Sequence, residues 1–254
     1  MLAEKFNLRG KTALITGSSQ GIGKGIAIAF AEYGADIVLH YRSDIEEAEE
    51  VADEIQKLGV NVKLLESDLS LPGAVSNFTE RLFQITKCID ILVINASVQI
   101  PCEWNQVTEK DFDIQTQTNF KATFQLIQQV APHMLDSGWG RILTIGSVQQ
   151  VKPHPNMIVY AATKSAVLNL VQNFAMHFAD KGITVNNLAP GVIGTPRIEQ
   201  EVPESEERIE KRLETPSGRI GQPEDCAAMA LLLCSEAGNF ITGQNIFVDG
   251  GMSL

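Results

Sequence analysis

The sequence predicts an α/β protein: one domain built around a mostly parallel sheet with helices on both faces. Three observations predict it. Seven short apolar, β-branched runs recur along the chain, helical patterns lie between them, and a glycine-rich turn joins the first run to the first helix. The runs cover 11–16, 35–41, 60–66, 89–95, 141–147, 183–189 and 245–249, and several are apolar almost throughout, as strands covered on both faces must be. Between the second and third, Ala48, Val51, Ala52, Ile55 and Leu58 share one helix face, with Asp44 as the N-cap and Gly59 as the stop. After Tyr160 a longer helix carries Val167, Leu170, Val171, Phe174 and Phe178 at helical spacing and closes at Lys181-Gly182. The sequence shows neither an internal repeat nor a low-complexity linker.

Composition excludes several functions. The 254 residues hold 31 acids against 20 basic residues, a net charge of -11, which is the wrong sign for a nucleic-acid or anionic-membrane binder. Residues 44–54 contribute seven acids and no base, and 199–214 contribute seven acids and three bases, so these two segments account for the whole imbalance. The longest apolar run, 226–234, is far short of a bilayer span, and residues 1–11 lack a secretory signal, so the expected location is cytoplasmic. Cys88, Cys102, Cys226 and Cys234 match neither a zinc spacing nor a CxxC pair and read as reduced thiols. His40, His133, His154 and His177 share no ligand spacing, so no metal site is expected. His40 and His177 read as structural residues, and Trp139 as packing.

The glycine turn reads Thr16-Gly17-Ser18-Ser19-Gln20-Gly21-Ile22-Gly23 and runs into an apolar helix. Glycines at such a turn let backbone N–H groups at a helix N-terminus approach a dinucleotide's diphosphate. The second strand ends His40-Tyr41-Arg42-Ser43, without the carboxylate that would select a bare ribose. Arg42 and Ser43 suit a 2'-phosphate instead, so NADP(H) is favoured and NAD(H) stays open.

A catalytic set lies further on. Ser147 closes the fifth run, Tyr160 follows, and Lys164 stands four residues later on the same helix face. A tyrosine with an ordinary pKa of about 10 is a poor base at neutral pH, and a neighbouring ammonium favours its phenolate. Tyr160 could then exchange a proton with a ketone or alcohol oxygen that Ser147 holds by a hydrogen bond.

Together these motifs make the chain resemble the short-chain dehydrogenase/reductase family over nearly its whole length. The Gly-x3-Gly-x-Gly spacing is the form that family uses. Asp68-Leu69 is similar to its adenine-contacting pair, and Asn95-Ala96 to the segment lining the riboses. Asn119 resembles the asparagine that holds a water in the family's proton relay. Residues 190–195, with Pro190, Gly191, Ile193 and Thr195, resemble the loop that grips the nicotinamide carboxamide. Residues 219–225 and the ending Val248-Asp249-Gly250-Gly251 also fit. The resemblance implies a doubly wound Rossmann fold with seven strands in the order 3-2-1-4-5-6-7. It further implies transfer of the pro-S hydride and a homotetramer or homodimer. Cofactor binding would fall mainly in 8–145, catalysis and substrate in 146–254, and a mobile lid in 195–218.

Two positions depart from the family. Its fourth strand usually ends Asn-Asn-Ala-Gly, whereas here it ends Ile94-Asn95-Ala96-Ser97. Ile94 requires that the strand junction be held in another way, and Ser97 implies a shifted cofactor contact. Gln20 stands where NADP-preferring relatives often carry a base, which leaves Arg42 as the main phosphate partner. Trp104, Gln149, Gln150, His154, Met157 and Ile193 are expected near the substrate mouth. Asp136 and the Met176-His177 pair are poor docking chemistry for an acidic carrier protein, which favours a small hydroxylated substrate over a 3-oxoacyl-carrier one. A non-catalytic NADP-binding sensor is the reading of another class, supported only by Ile94 and Ser97.

Overall fold

The computed structural model describes residues 1–199, 203, 206, 207, 211 and 214–254. Seven strands form one all-parallel sheet: β1 (Thr12–Thr16), β2 (Asp36–Tyr41), β3 (Val62–Glu66), β4 (Ile91–Ile94), β5 (Gly140–Ile145), β6 (Ile183–Pro190) and β7 (Asn245–Val248). Their order is β3-β2-β1-β4-β5-β6-β7, as the family resemblance implies. Every predicted strand is present, with ends displaced by at most two residues. The described helices are α1 (Gly21–Glu32), α2 (Ile45–Gln56), α3 (Ala74–Ile85), α4 (Glu109–Thr116), α5 (Ala122–Ser137), α6 (Ile158–Phe178) and α7 (Pro223–Cys234).

Alternation along each strand divides the core in two. Ala13 and Ile15, Ile37 and Leu39, and Ile91 and Val93 face the layer of α1, α2 and α7. Leu14, Val38, Leu92 and Ile94 face the layer of α3, α5 and α6. Phe30 anchors the first layer and Phe78 the second, both fully buried. Burying one such side chain contributes about 1.5–3 kcal/mol, which sets the register of each helix on the sheet. Asp44 caps α2 as expected, accepting from the Glu47 N–H at 3.1 Å, and Gly59 lies beyond the helix at φ 83°. Leu58 departs from the expectation: it falls outside α2 and is exposed, because the helix has already ended. Trp139 packs against two cations, its ring centroid 3.6 Å from Lys11 Nζ and 4.3 Å from Arg141 Cζ.

The chain runs outward from β1 in one direction to β2 and β3, then returns to β4 on its other side. That reversal leaves a crevice beyond the carboxyl ends of β1 and β4, where ligands of open α/β sheets bind.

Candidate active site

β1 ends at Thr16 and hands the chain to Gly17 and Gly21, both in left-handed conformations at φ 63° and 59°. A Cβ on Gly23 would lie 2.2 Å from the Gly17 carbonyl oxygen and 2.6 Å from Asn95 Nδ2, so the turn closes only around glycine. Asn95 Nδ2 donates to the carbonyls of Gly17 (2.7 Å) and Thr16 (3.0 Å). The Thr16 hydroxyl accepts from the N–H groups of Asn95 (3.0 Å) and Ala96 (3.1 Å). Thr16 is therefore how the β1–β4 junction is held where Ile94 has turned into the core. No local motif marks this hydroxyl, because its partners lie 79 and 80 residues away on the neighbouring strand's end.

His40 supports the same turn from below. Its Nδ1 accepts the Gly17 N–H at 3.0 Å, so Nε2 carries the ring proton and donates to the Ser67 carbonyl at 2.9 Å. Burial pushes its pKa down to about 4, against weaker opposing effects from the Ser67 bond and Asp68. The loop then enters α1 with Gln20 as N-cap, no side-chain cap bond and no acid in the first turn. An uncapped helix end with glycine at its first and third positions fits a dinucleotide diphosphate. Gly21 and Ile22 open that turn, and Thr195 closes over it, its Cγ2 3.1 Å from where a Gly21 Cβ would sit.

At the end of β2, Tyr41 is buried, as is Leu69, while Arg42 and Ser43 are exposed and the Arg42 charge acts on Asp68. Burial raises the Asp68 pKa, but two hydrogen bonds from Ser70 and the charges of Arg42 and His40 outweigh it and hold the carboxyl below its usual range. Ser19 faces the acidic α2: its hydroxyl lies 3.5 Å from Glu47 Oε2.

The four catalytic candidates converge on the other side of the crevice. Ser147 lies two residues past β5 and caps a short turn, its hydroxyl accepting from the Gln149 N–H at 3.2 Å. Tyr160 and Lys164 share the inner face of α6, with Lys164 Nζ 5.5 Å from the Tyr160 ring centroid. Lys164 donates to the Ile145 carbonyl at 2.6 Å. Burial, with a smaller effect from Arg197, pushes its pKa down from 10.5 to about 7. Asn119 sits in a π-turn between α4 and α5, a widening that helices often carry at functional sites. Its amide pairs with both backbone groups of Val98 at 2.8 Å and donates to Thr163 Oγ1 at 3.1 Å. Thr163 in turn donates to the Tyr160 carbonyl at 2.7 Å.

Gln150, expected at the mouth, turns inward instead. Its Oε1 accepts from the Ser147 N–H (3.4 Å) and Asn187 Nδ2 (3.2 Å), while its Nε2 donates to the Lys164 carbonyl (2.9 Å). One side chain thus ties the Ser147 turn to the Tyr160 helix. Ile193 is also buried, and pairs by its backbone segment with Gly221. Pro190 ends β6, and Gly191 passes so close to Asp249 that a Cβ would lie 2.8 Å from its Cα.

Of the mouth candidates, Met157 is buried with its sulfur 2.8 Å from Gln149 Nε2. Gln149 Oε1 is buried without a hydrogen-bond partner. His154 is buried and its Nδ1 accepts the Asn156 N–H at 3.1 Å. Trp104 stands 73% exposed on the rim. Of the expected lid, residues 200–202, 204, 205, 208–210, 212 and 213 lie outside the described residues. Pro203, within that stretch, accepts from Asn156 Nδ2 at 3.0 Å. Ser97 and Arg197 complete the rim: Nη1 donates to Ser97 Oγ (3.0 Å) and Nη2 to the Ser97 carbonyl (2.9 Å).

The family described as enoyl-(acyl carrier protein) reductase matches residues 17–253. The chain belongs to the short-chain dehydrogenase/reductase family. Among relatives, the 7alpha-hydroxysteroid dehydrogenase of Escherichia coli K12 is 39% identical over 254 aligned positions, spanning 98% of this chain and 96% of that one. A 3-oxoacyl (acyl-carrier-protein) reductase from Agrobacterium tumefaciens, solved with NADP bound, superposes with a TM-score of 0.90 at 38% identity, over 99% of this chain and 97% of that one. A gluconate 5-dehydrogenase from Burkholderia cenocepacia, in complex with NADP and tartrate, superposes at 0.89 and 34% identity, over 100% and 99%. As a member of this family the chain is an oxidoreductase acting on an alcohol/ketone pair. Among the described residues no helix is long and apolar enough to cross a membrane.

Proposed function

We propose that this short-chain dehydrogenase/reductase interconverts a small hydroxylated alcohol and its ketone, with NADP(H) preferred. The observation that carries the reading is the convergence of Asn119, Ser147, Tyr160 and Lys164 beside an uncapped α1 terminus. The cofactor, when bound, supplies or accepts the hydride. Gly21, Ile22 and Gly23 would hold its diphosphate, Asn95 and Lys164 its nicotinamide ribose, and Thr195 its carboxamide end. Ser147 donates a hydrogen bond to the substrate oxygen, and Tyr160 gives that oxygen a proton in reduction or removes one in oxidation. Lys164, in its ammonium form, attracts the negative charge that develops on the phenolic oxygen. Asn119 positions Val98 and, through Thr163, the Tyr160 backbone. NADP in two of the similar structures, and Arg42 at the end of β2, support the cofactor preference.

Gluconate, a hydroxysteroid and a carrier-bound acyl group are the named substrates among the relatives described above. The buried, unpartnered Gln149 oxygen favours a substrate with a hydroxyl to donate, as a sugar acid or polyol has. Met176, 84% exposed on α6, gives an acidic carrier no charge to bind. We further propose a homotetramer. Phe124 and Phe120 are partly exposed near α5, and an open cavity of about 560 Å³ beside α7 and β7 is lined by Met229, Leu232 and Phe247 together with Arg219, Asp225 and Asp249.

A panel of sugar acids, polyols, steroids and simple ketones, followed by nicotinamide absorbance with NADPH and NADH, tests the reading. Turnover by the wild type and its loss of about 10³-fold in Tyr160→Phe are expected, given what general acid–base groups contribute. Cofactor binding without turnover on any member would instead support a sensor.

A further inference from the structure

We propose that Arg197 is the carboxylate receptor of the substrate cleft, and that the substrate is therefore a hydroxy acid or its oxo acid. This deepens the oxidoreductase reading and rests on it.

Arg197 belongs to a short turn, Pro196–Glu199, that begins directly after Thr195. Its guanidinium makes a fork of two nearly equal bonds, 3.0 Å and 2.9 Å, onto the hydroxyl and carbonyl oxygens of one residue, Ser97. Two oxygens on one small group are what a carboxylate presents, and a planar guanidinium is built to take both. Ser97 supplies them without charge. Among the described residues no carboxylate pairs with Arg197, so an anionic substrate would replace two neutral acceptors by charged ones.

The position selects the substrate over the cofactor's phosphates. Ser97 directly precedes Val98, whose N–H and carbonyl are both held by the Asn119 amide at 2.8 Å. The guanidinium is therefore bonded to the chain neighbour of the residue that Asn119 holds, and its charge acts on the Lys164 amine. The diphosphate has its own partner in the uncapped α1 terminus. A 2'-phosphate would lie at the far end of the crevice, near Arg42 and Asp68. A carboxylate at Arg197 would place the remainder of a small hydroxy acid toward Tyr160 and Ser147. It would also offset a positive charge that acts on Lys164, easing the repulsion between the two.

The serine at position 97 gains an explanation. A glycine there offers the backbone carbonyl alone, so the second half of the fork would be lost. Ser97 holds the arginine by both bonds until a substrate takes its place.

The test uses Tyr160→Phe protein saturated with NADP+, so that ligands bind without turnover. Gluconate is titrated against glucitol, and lactate against propane-1,2-diol, by calorimetry. Each carboxylate should bind at least about tenfold tighter than its neutral partner, and adding Arg197→Ala should erase that margin. Arg197→Lys should restore part of it, and NADP+ affinity, read by protein fluorescence, should stay within about twofold. Absence of a carboxylate margin, including no binding by any of the four, overturns the proposal. So does a loss in Arg197→Ala that falls on NADP+ rather than on the acids, which would make the residue a diphosphate clamp. Wild-type turnover of neutral alcohols without a carboxylate margin would leave the oxidoreductase reading standing and sink only the receptor. A carboxylate margin without turnover on any substrate would do the reverse.

Discussion

His40 Nδ1 accepts the backbone N–H of Gly17 at 3.0 Å, so a neutral imidazole on β2 holds the first glycine of the cofactor turn. Its pKa of about 4 against an ordinary 6.5 gives stability a defined pH dependence. Between those values the unfolded chain binds a proton that the native chain does not, so stability falls as pH drops from 6.5 to 4 and levels off below. The span corresponds to roughly 3 kcal/mol. His40→Asn keeps an acceptor near Nδ1 and cannot titrate. Melting temperatures at pH 7 and pH 4.5 should differ by less in this variant than in the wild type; an equal difference would place the titration elsewhere.

Lys164 has the same relation to pH in a higher range. Its native pKa of about 7 lies below the ordinary 10.5, so between the two the unfolded chain holds the extra proton and stability rises with pH. Lys164→Met removes the buried amine. The variant should melt at least about 3 °C above the wild type at pH 7, the effect of ~1 kcal/mol in a large domain, and lose this advantage toward pH 10. Its turnover should fall by more than about 100-fold, as expected when a catalytic group is removed. Calorimetric melts across that range, with parallel rates, check both.

Gln150 touches neither substrate nor cofactor in the proposed mechanism, yet it joins Ser147, Lys164 and Asn187. Gln150→Ala should lower kcat about tenfold while the KM for NADPH changes less than twofold, because misplacing a reacting group costs rate before affinity. A proportional loss in cofactor affinity would show that the residue supports the whole crevice.

Glu47 lies near Ser19, where its charge opposes a 2'-phosphate, whereas Arg42 favours one. Glu47→Gln should tighten NADPH about threefold with little change for NADH, and Arg42→Ala should weaken NADPH about tenfold, the scale of one charged hydrogen bond. Dissociation constants from NADPH and NADH fluorescence decide it. An unchanged ratio in Arg42→Ala would remove the arginine from cofactor selection.

Gly23 admits no side chain. Gly23→Ala would drive a Cβ to 2.2 Å from the Gly17 oxygen and displace Asn95 Nδ2. A loss of about 1–3 kcal/mol in stability and failure to bind NADPH are expected, measured by melts and fluorescence. Gly59→Ala, in open space but at φ 83°, should cost about 1 kcal/mol with cofactor binding intact.

The strands, the glycine turn and the Ser147-Tyr160-Lys164 spacing were legible in the chain because each depends on local periodicity. Alternation along Ala13, Leu14 and Ile15 already assigns opposite faces, and Tyr160 and Lys164 meet because a helix turn brings i and i+4 together. Other roles depend on which segments become neighbours. Thr16 holds Ala96 across 80 positions, His40 holds Gly17 across 23, and Arg197 reaches Ser97 across 100. No period or motif encodes such pairs, since a hydroxyl, an imidazole or a guanidinium acquires its partner only when strand order has been set. The turn of Gln150 away from the mouth and into the network has the same cause: a buried amide takes the partners that surround it, and those come from β6 and α6. Sequence alone determined the sheet, the family and which groups are the candidates for the chemistry. Tertiary packing decided how those groups are held, because hydrogen bonds between distant segments form only after the core has brought them together.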